Sequence, residues 1–274
     1  MKHRPQISLL VPFRASSRHP HRARIWSWLE KYWSHELPDA EVVVGRSRSK
    51  AFCKTEAVND AARRARGRIF VILDSDAYIR GSVILHCARE IEEAKRRGHK
   101  RWFIPYRRLY RLTEASTELV LTSDPLWPHR FPSPPPDDAV ESTVGSMHGH
   151  HFGAMIQVMP REAFEEVGCM DPRFKGWGGE DVAFMRAVDT LYAKHKTVAA
   201  DVLHLWHPNI GTSVTDRMWE GQDKPGNNGK LAKAYSRAAG DRVAMRALAD
   251  AGCQKCRGLW CFCWLWLWFL RFFG

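Results

Sequence analysis

The apolar run Ile69-Phe70-Val71-Ile72-Leu73 is followed at once by Asp74-Ser75-Asp76, and this junction constrains the chain most. A short, continuous run of β-branched and leucine-type residues is what a strand buried on both faces requires. Strands of this kind belong to open α/β sheets, whose ligands bind just beyond the carboxyl ends of the strands. Two acidic side chains one residue apart at that edge can hold a divalent cation that a diphosphate also touches, because hard cations take oxygen ligands. Alone, an Asp-x-Asp pair fits an ordinary turn equally well.

The segments before it fit the same architecture. Ile7–Val11 reads as a first strand ending in Pro12-Phe13-Arg14, which sets a basic residue at the carboxyl edge. Arg22–Ser34 has helical spacing, with Ile25, Trp28, Leu29 and Tyr32 on one face. Ala40–Val44 reads as a second strand followed by the basic loop Gly45–Lys50, and Lys54–Ala65 as an alanine-rich helix. With Arg68–Leu73 as third strand, the βαβαβ order argues for a Rossmann-like, nucleotide-binding half. Further on, the patterns predict a helix over Ser82–Arg97, a strand over Arg101–Pro105 and an irregular proline-rich stretch over Asp124–Asp138. A strand over Phe152–Val158, helices over Arg161–Val167 and Glu180–Tyr192, a strand over Thr197–Leu205 and a helix over Lys230–Ala251 complete the pattern. Asn227-Asn228-Gly229, after Gly221–Pro225, reads as a turn-rich loop of the kind that can fold over a ligand.

Composition sets the outer bounds. At 274 residues and 45% hydrophobic content, the chain can bury a sizeable core. A formal net charge of +12 favours anionic partners. Arginine is scattered over several helices without a basic arm, so a solvated basic surface explains the charge as well as a nucleic-acid groove does. Ile7–Val11 is too short for the core of a secretory signal. Cys53, Cys87 and Cys169 stand apart, and Cys253, Cys256, Cys261 and Cys263 cluster near the end. That is no disulfide framework, and a reducing cytoplasmic location is expected. The Trp-rich tail Leu259–Phe273 has about 12 consecutive apolar residues, a rise of roughly 18 Å against a ~30 Å hydrocarbon core. It is expected not to span a bilayer. Either it rests peripherally on a membrane, helped by Lys255, Arg257 and Arg271, or it is an accessory tail.

Two further motifs carry chemistry. In Gly176-Trp177-Gly178-Gly179-Glu180-Asp181, three glycines let the backbone bend and approach a ligand, and Trp177 offers a face for a sugar ring. Glu180 and Asp181 open a helix, where the dipole favours carboxylates; a capped glycine turn is the plainer alternative, but it needs neither the second acid nor the tryptophan. His204-Leu205-Trp206-His207-Pro208 places two imidazoles three residues apart after a strand, where they can converge on one cation if the chain turns. His148, His150 and His151 read as a loop rather than a metal site.

In order along residues 7–208, these motifs resemble the GT-A glycosyltransferases, most closely the β-1,4-galactosyltransferase-like and chondroitin-polymerase-like branch. Gly176–Asp181 matches that branch's Gly-Trp-Gly-Gly-Glu-Asp without change, and Asp74-Ser75-Asp76 stands where it has Asp-Val-Asp. Phe52-Cys53-Lys54, with Asn59 beyond, is similar to its Phe-Asn-Arg segment, Lys54 replacing arginine. The chain departs at Val182-Ala183-Phe184, where the branch often continues with acids.

The resemblance implies an α/β GT-A fold, with a mixed, mostly parallel central sheet and helices on both faces. It further implies a metal-dependent glycosyltransferase that moves galactose or N-acetylgalactosamine from a UDP-sugar to an acceptor hydroxyl, with inversion. Mn²⁺ or another divalent cation would be held by Asp76, His204 and His207. Pro12, Phe13, Arg14, Phe52, Lys54, Asp74 and Ser75 would bind the nucleotide. Trp177, Gly178, Gly179 and Glu180 would bind sugar and acceptor, with Asp181 as catalytic base. The implied organisation is a nucleotide-sugar half over 1–123, a Pro- and His-rich loop region over 124–151, an acceptor-binding half over 152–252 and the tail over 253–274. The acceptor would be a glycan, protein or lipid. Two alternatives stand beside this one: a retaining enzyme of the polypeptide N-acetylgalactosaminyltransferase type, and a basic nucleic-acid-binding protein without catalysis.

Overall fold

Three parallel strands set the frame. β1 (Ile7–Pro12) lies between β2 (Glu41–Gly45) and β3 (Ile69–Leu73), with Leu9 in register with Val42 on one side and Val71 on the other. This computed structural model describes residues 6–17, 20–49, 52–126, 131–141, 155–176, 178–208 and 226–253. Every residue of β1 and β3 is buried, which accounts for their unbroken apolar sequence. The crossovers between the three strands are α1 (Pro20–Glu36) and α2 (Lys54–Arg64). α1 buries Ile25, Trp26, Trp28, Leu29, Tyr32 and Trp33. α2 turns Ala57, Val58, Ala61 and Ala62 inward, and small side chains suit its close approach to the sheet: a Cβ on Gly45 would lie 1.9 Å from the Ala57 carbonyl oxygen.

Beyond β3 the sheet is completed by strands from the second part of the chain. β8 (Ile156–Pro160) runs antiparallel to β3, and β5 (Phe103–Ile104) and β9 (Lys196–Thr197) lie beyond it, giving the order β2-β1-β3-β8-β5-β9. Since β5 is antiparallel to β8 and parallel to β9, every strand except β8 runs the same way: the sheet is mixed and mostly parallel. The helices α3 (Gly81–Arg96), α5 (Arg161–Val167) and α6 (Glu180–Leu191) pack the remaining core, with Phe164 in edge contact with Phe70 and tilted against Phe184.

A second, four-stranded sheet was not expected. It has the order β4-β10-β6-β7, from Ala77–Tyr78, Asp201–His204, Arg108–Arg111 and Val140–Glu141. The expected strand Thr197–Leu205 is therefore corrected to two strands, β9 and β10, in different sheets. A tight turn, with Ala200 N–H donating to the Val198 carbonyl, redirects the chain between them. α4 (Glu114–Thr122), capped by the Thr113 hydroxyl, was also not foreseen. The single helix expected over Lys230–Ala251 is two, α7 (Gly226–Arg237) and α8 (Arg242–Cys253), broken where Gly240 takes φ +85° and Asp241 caps the start of α8. Asn227-Asn228-Gly229 lies in the first turn of α7 rather than in a loop, and the buried Asn228 side chain hydrogen-bonds both the N–H and the carbonyl of Lys175. Trp177, the histidines at 148, 150 and 151, the segment Gly221–Pro225 and the tail beyond Cys253 lie outside the described residues. Among the described residues no helix is long and apolar enough to cross a membrane.

Candidate active site

The rim at the carboxyl end of β3 is built by strand pairing. After Leu73, the Ala77 N–H closes a turn on the Asp74 carbonyl, and the chain enters β4. β4 pairs antiparallel with β10, setting Ala77 opposite His204. The Leu205 N–H then donates to the Asp76 carbonyl at 3.0 Å. Distant parts of the sequence are thus joined by main-chain bonds, and their side chains converge. Ligand atoms of Asp76, His204 and His207 all lie within 4.8 Å of one another. His207 Nε2 is 3.2 Å from Asp76 Oδ2, and His204 Nε2 is 4.0 Å from Oδ1.

These residues suit a divalent cation in more than position. Neighbouring ligands of a cation bound at about 2.1 Å stand roughly 3 Å apart in octahedral geometry, close to the 3.2 Å between His207 and Asp76, with His204 farther off at 4.0 Å. Burial pushes the His204 pKa down to about 4, so this imidazole is neutral near pH 7 and offers a lone pair. His207 Nδ1 lies 3.1 Å from the Pro208 carbonyl, and the tautomer that donates there leaves Nε2 as the lone-pair nitrogen facing Asp76. Burial alone would raise the Asp76 pKa, yet it is held well below the usual carboxylate range by its imidazole contacts and Arg22. Arg22 is the permanent positive charge among these contacts. Its Nη2 sits 2.9 Å from Asp76 Oδ2.

A second cluster adjoins it. Lys54, the first residue of α2, is buried with Nζ 2.5 Å from Asp74 Oδ1 and 2.8 Å from Asp181 Oδ1. Burial disfavours its charge, but Asp181, Asp74 and Glu180 more than compensate and raise its pKa. The sequence suggests Lys54 as a charge near the nucleotide; the structure seats it between two carboxylates. Asp181 Oδ1 is buried without a hydrogen bond of good geometry, despite the ammonium nearby. Glu180 is buried, accepts the Gly178 N–H at 2.8 Å, and has its pKa raised to about 7 by burial and by the Asp181 charge.

The backbone of the loop needs its glycines. Gly176, Gly178 and Gly179 have φ of +67°, +115° and +83°, and a Cβ on Gly179 would stand 2.9 Å from that of Ala232. Asn59 fixes the approach to this loop, its amide donating to the Met170 carbonyl and accepting the Met170 N–H. At the β1 end, Pro12 closes the strand, the Phe13 ring lies 6.1 Å from that of Trp26, and Arg14 lies over the Phe52 ring while donating to the Ser49 carbonyl. Ser75 is buried between the two acids. Sequence reasoning missed Arg22, which carries no motif, and Tyr106, whose buried hydroxyl accepts the Met155 N–H beside the Asp74 strand end.

Residues 140–201 match a family model described as the N-terminal domain of galactosyltransferase. This stretch holds β8 and the Gly176–Asp181 loop but neither Asp76 nor the two histidines. No curated protein matches the chain in sequence. Among solved structures, the catalytic domain of Drosophila β1,4-galactosyltransferase 7 in complex with xylobiose is similar at 12% identity, over 83% of this chain and 79% of that one, with a TM-score of 0.46. A mannosyltransferase from Pyrobaculum calidifontis in complex with GDP-Man and Mn²⁺ is similar at 14% identity, over 92% and 70%, with a TM-score of 0.41. GalNAc-T7 with UDP, GalNAc and Mn²⁺ is similar at 12% identity, over 90% and 55%, with a TM-score of 0.40. These three likenesses extend only to the coarse course of the chain. Over residues 140–201 the sequence is galactosyltransferase-like, and the sheet to which this stretch contributes β8 and β9 is mixed and mostly parallel.

Proposed function

We propose that the chain is a metal-dependent glycosyltransferase that moves a sugar, galactose or N-acetylgalactosamine, from a UDP-sugar to an acceptor hydroxyl with inversion. One observation carries the reading: Asp76, His204 and His207 converge at the end of β3, next to the Asp74–Lys54–Asp181 cluster. Asp76, His204 and His207 would hold Mn²⁺ or a similar ion, for which mixed oxygen and imidazole donors are suited. When bound, the cation supplies positive charge against the diphosphate that departs. Asp181 takes the proton of the attacking hydroxyl, and Lys54 holds that carboxylate in place through the Nζ contact. Glu180 orients the acceptor from the same turn, while Arg14, stacked on Phe52, adds positive charge on the nucleotide side.

The test is UDP release across a panel of UDP-sugars, with and without Mn²⁺, for wild type, Asp76→Ala and Asp181→Asn. Turnover that needs Mn²⁺ and falls in both variants is the expected result, with an inverted anomer by NMR. A wild-type protein that neither binds nor turns over any nucleotide sugar ends the proposal.

A further inference from the structure

Arg22 stands where positive charge is required and where its own helix disfavours it. The start of α1 carries His21, Arg22 and Arg24, and its first turn has no acidic residue. Cations there oppose the helix dipole, whose positive end lies at the N-terminus. The compensation is tertiary. Arg22 Nη2 lies 2.9 Å from Asp76 Oδ2 and 3.4 Å from His207 Nε2. His207 Nε2 is itself 3.2 Å from Asp76 Oδ2, so the arginine nitrogen lies against two atoms that already face one another. The guanidinium thus places its positive charge against two of the three residues that would hold a divalent cation.

The exposures are unequal in an informative way. The Asp76 side chain is 7% exposed and that of Arg22 36%, so the arginine reaches into the seat from the solvent side and can leave without unpacking the core. Once displaced, it stays tethered to the first turn of α1, beside the end of β3. A guanidinium is well shaped for bidentate contact with phosphate oxygens. We propose that Arg22 occupies the cation seat in the metal-free protein and passes to the donor diphosphate when the cation enters. The inference rests on the cation site of the proposed function and adds a residue that competes with the metal and then assists the nucleotide.

Calorimetric titration of Mn²⁺ alone, without nucleotide, into wild type, Arg22→Ala, Arg22→Gln and Asp76→Asn tests the first half. UDP titration at saturating Mn²⁺ tests the second. Removing a competing charge should tighten Mn²⁺ about tenfold in both Arg22 variants, and losing a charged phosphate contact should weaken UDP about tenfold. Arg22→Lys keeps the charge and should stay near wild type for Mn²⁺. Arg22→Gln preserves much of the side chain's packing and stands in if the alanine variant folds poorly. Unchanged or weaker Mn²⁺ binding in the glutamine variant overturns the competition, and unchanged UDP binding overturns the transfer to diphosphate. Asp76→Asn separates the two levels. If it loses Mn²⁺ while Arg22→Gln changes nothing, only the role of Arg22 fails; if it binds Mn²⁺ like wild type, the cation site fails.

Discussion

Glu180→Gln isolates the electrostatics of the acidic loop. Glu180 is 4% exposed, and its pKa is raised from 4.5 to about 7, chiefly by burial and then by the Asp181 charge, against the pull of Lys54. In the unfolded chain the carboxyl loses its proton near its ordinary value; in the folded chain it keeps it to about pH 7. Between those values the native state binds more protons than the unfolded state. Stability from this group is therefore present in acid and is lost as pH rises toward 7. Two and a half pKa units correspond to on the order of 3 kcal/mol. Glutamine is neutral throughout and can still accept the Gly178 N–H through its amide oxygen. The variant should accordingly match wild type near pH 4, begin to exceed it by pH 5, and lead by about 3 kcal/mol at pH 8. Urea unfolding at a series of pH values measures the difference directly. A gap that stays flat from pH 5 to 8, or that favours wild type in alkali, would mean that Lys54 keeps Glu180 ionised, and the reasoning would be refuted.

Three other substitutions probe the same rim. Lys54→Met leaves Asp74 and Asp181 without their buried counter-charge and should cost about 3–5 kcal/mol in chemical denaturation. Asp181→Asn should lower kcat by about 10²–10⁴ while UDP affinity in Mn²⁺ holds, as calorimetry on the same preparation would show. Gly179→Ala forces a Cβ into φ +83° and against Ala232, so a loss of roughly 1–3 kcal/mol in thermal or urea unfolding is expected.

The legible part of the fold is the part that local pattern determines. The continuous apolar run of β3 identifies a doubly covered strand, and three glycines before two acids identify a loop with left-handed backbone. The second sheet leaves no such trace. β4 is two residues long, and β6 reads Arg-Leu-Tyr-Arg, its strand character coming from pairing with β10 rather than from any run of its own. Thr197–Leu205 looks like one strand because nothing in its apolar pattern marks the turn at Ala200; only the tertiary demand that Lys196–Thr197 pair with β5 and Asp201–His204 with β6 divides it. The break at Gly240-Asp241 does carry a signal, glycine followed by a capping acid, but the alanine-rich helix pattern on either side masks it. Arg22 is invisible for a different reason: one arginine among several in a basic helix start becomes distinctive only once β4 and β10 have brought Asp76 and His207 beside it.

The rim gathers Asp74, Asp76, Glu180 and Asp181, and its two cations answer that charge in unlike ways. The Lys54 side chain is 11% exposed and touches two carboxylates, so nothing replaces it when it is removed, and its loss should appear in stability. The Arg22 side chain is 36% exposed and touches the one carboxylate that also belongs to the proposed cation site, where a metal ion would take its place. The difference in burial thus assigns different observables to two residues of the same charge at the same strand end. Unfolding experiments should register Lys54 more strongly than Arg22, whose half-exposed pairing is the weaker, whereas metal titration at fixed pH should register Arg22. Loss of fold stability on substituting both to a similar extent would show that the two cations serve a single structural purpose.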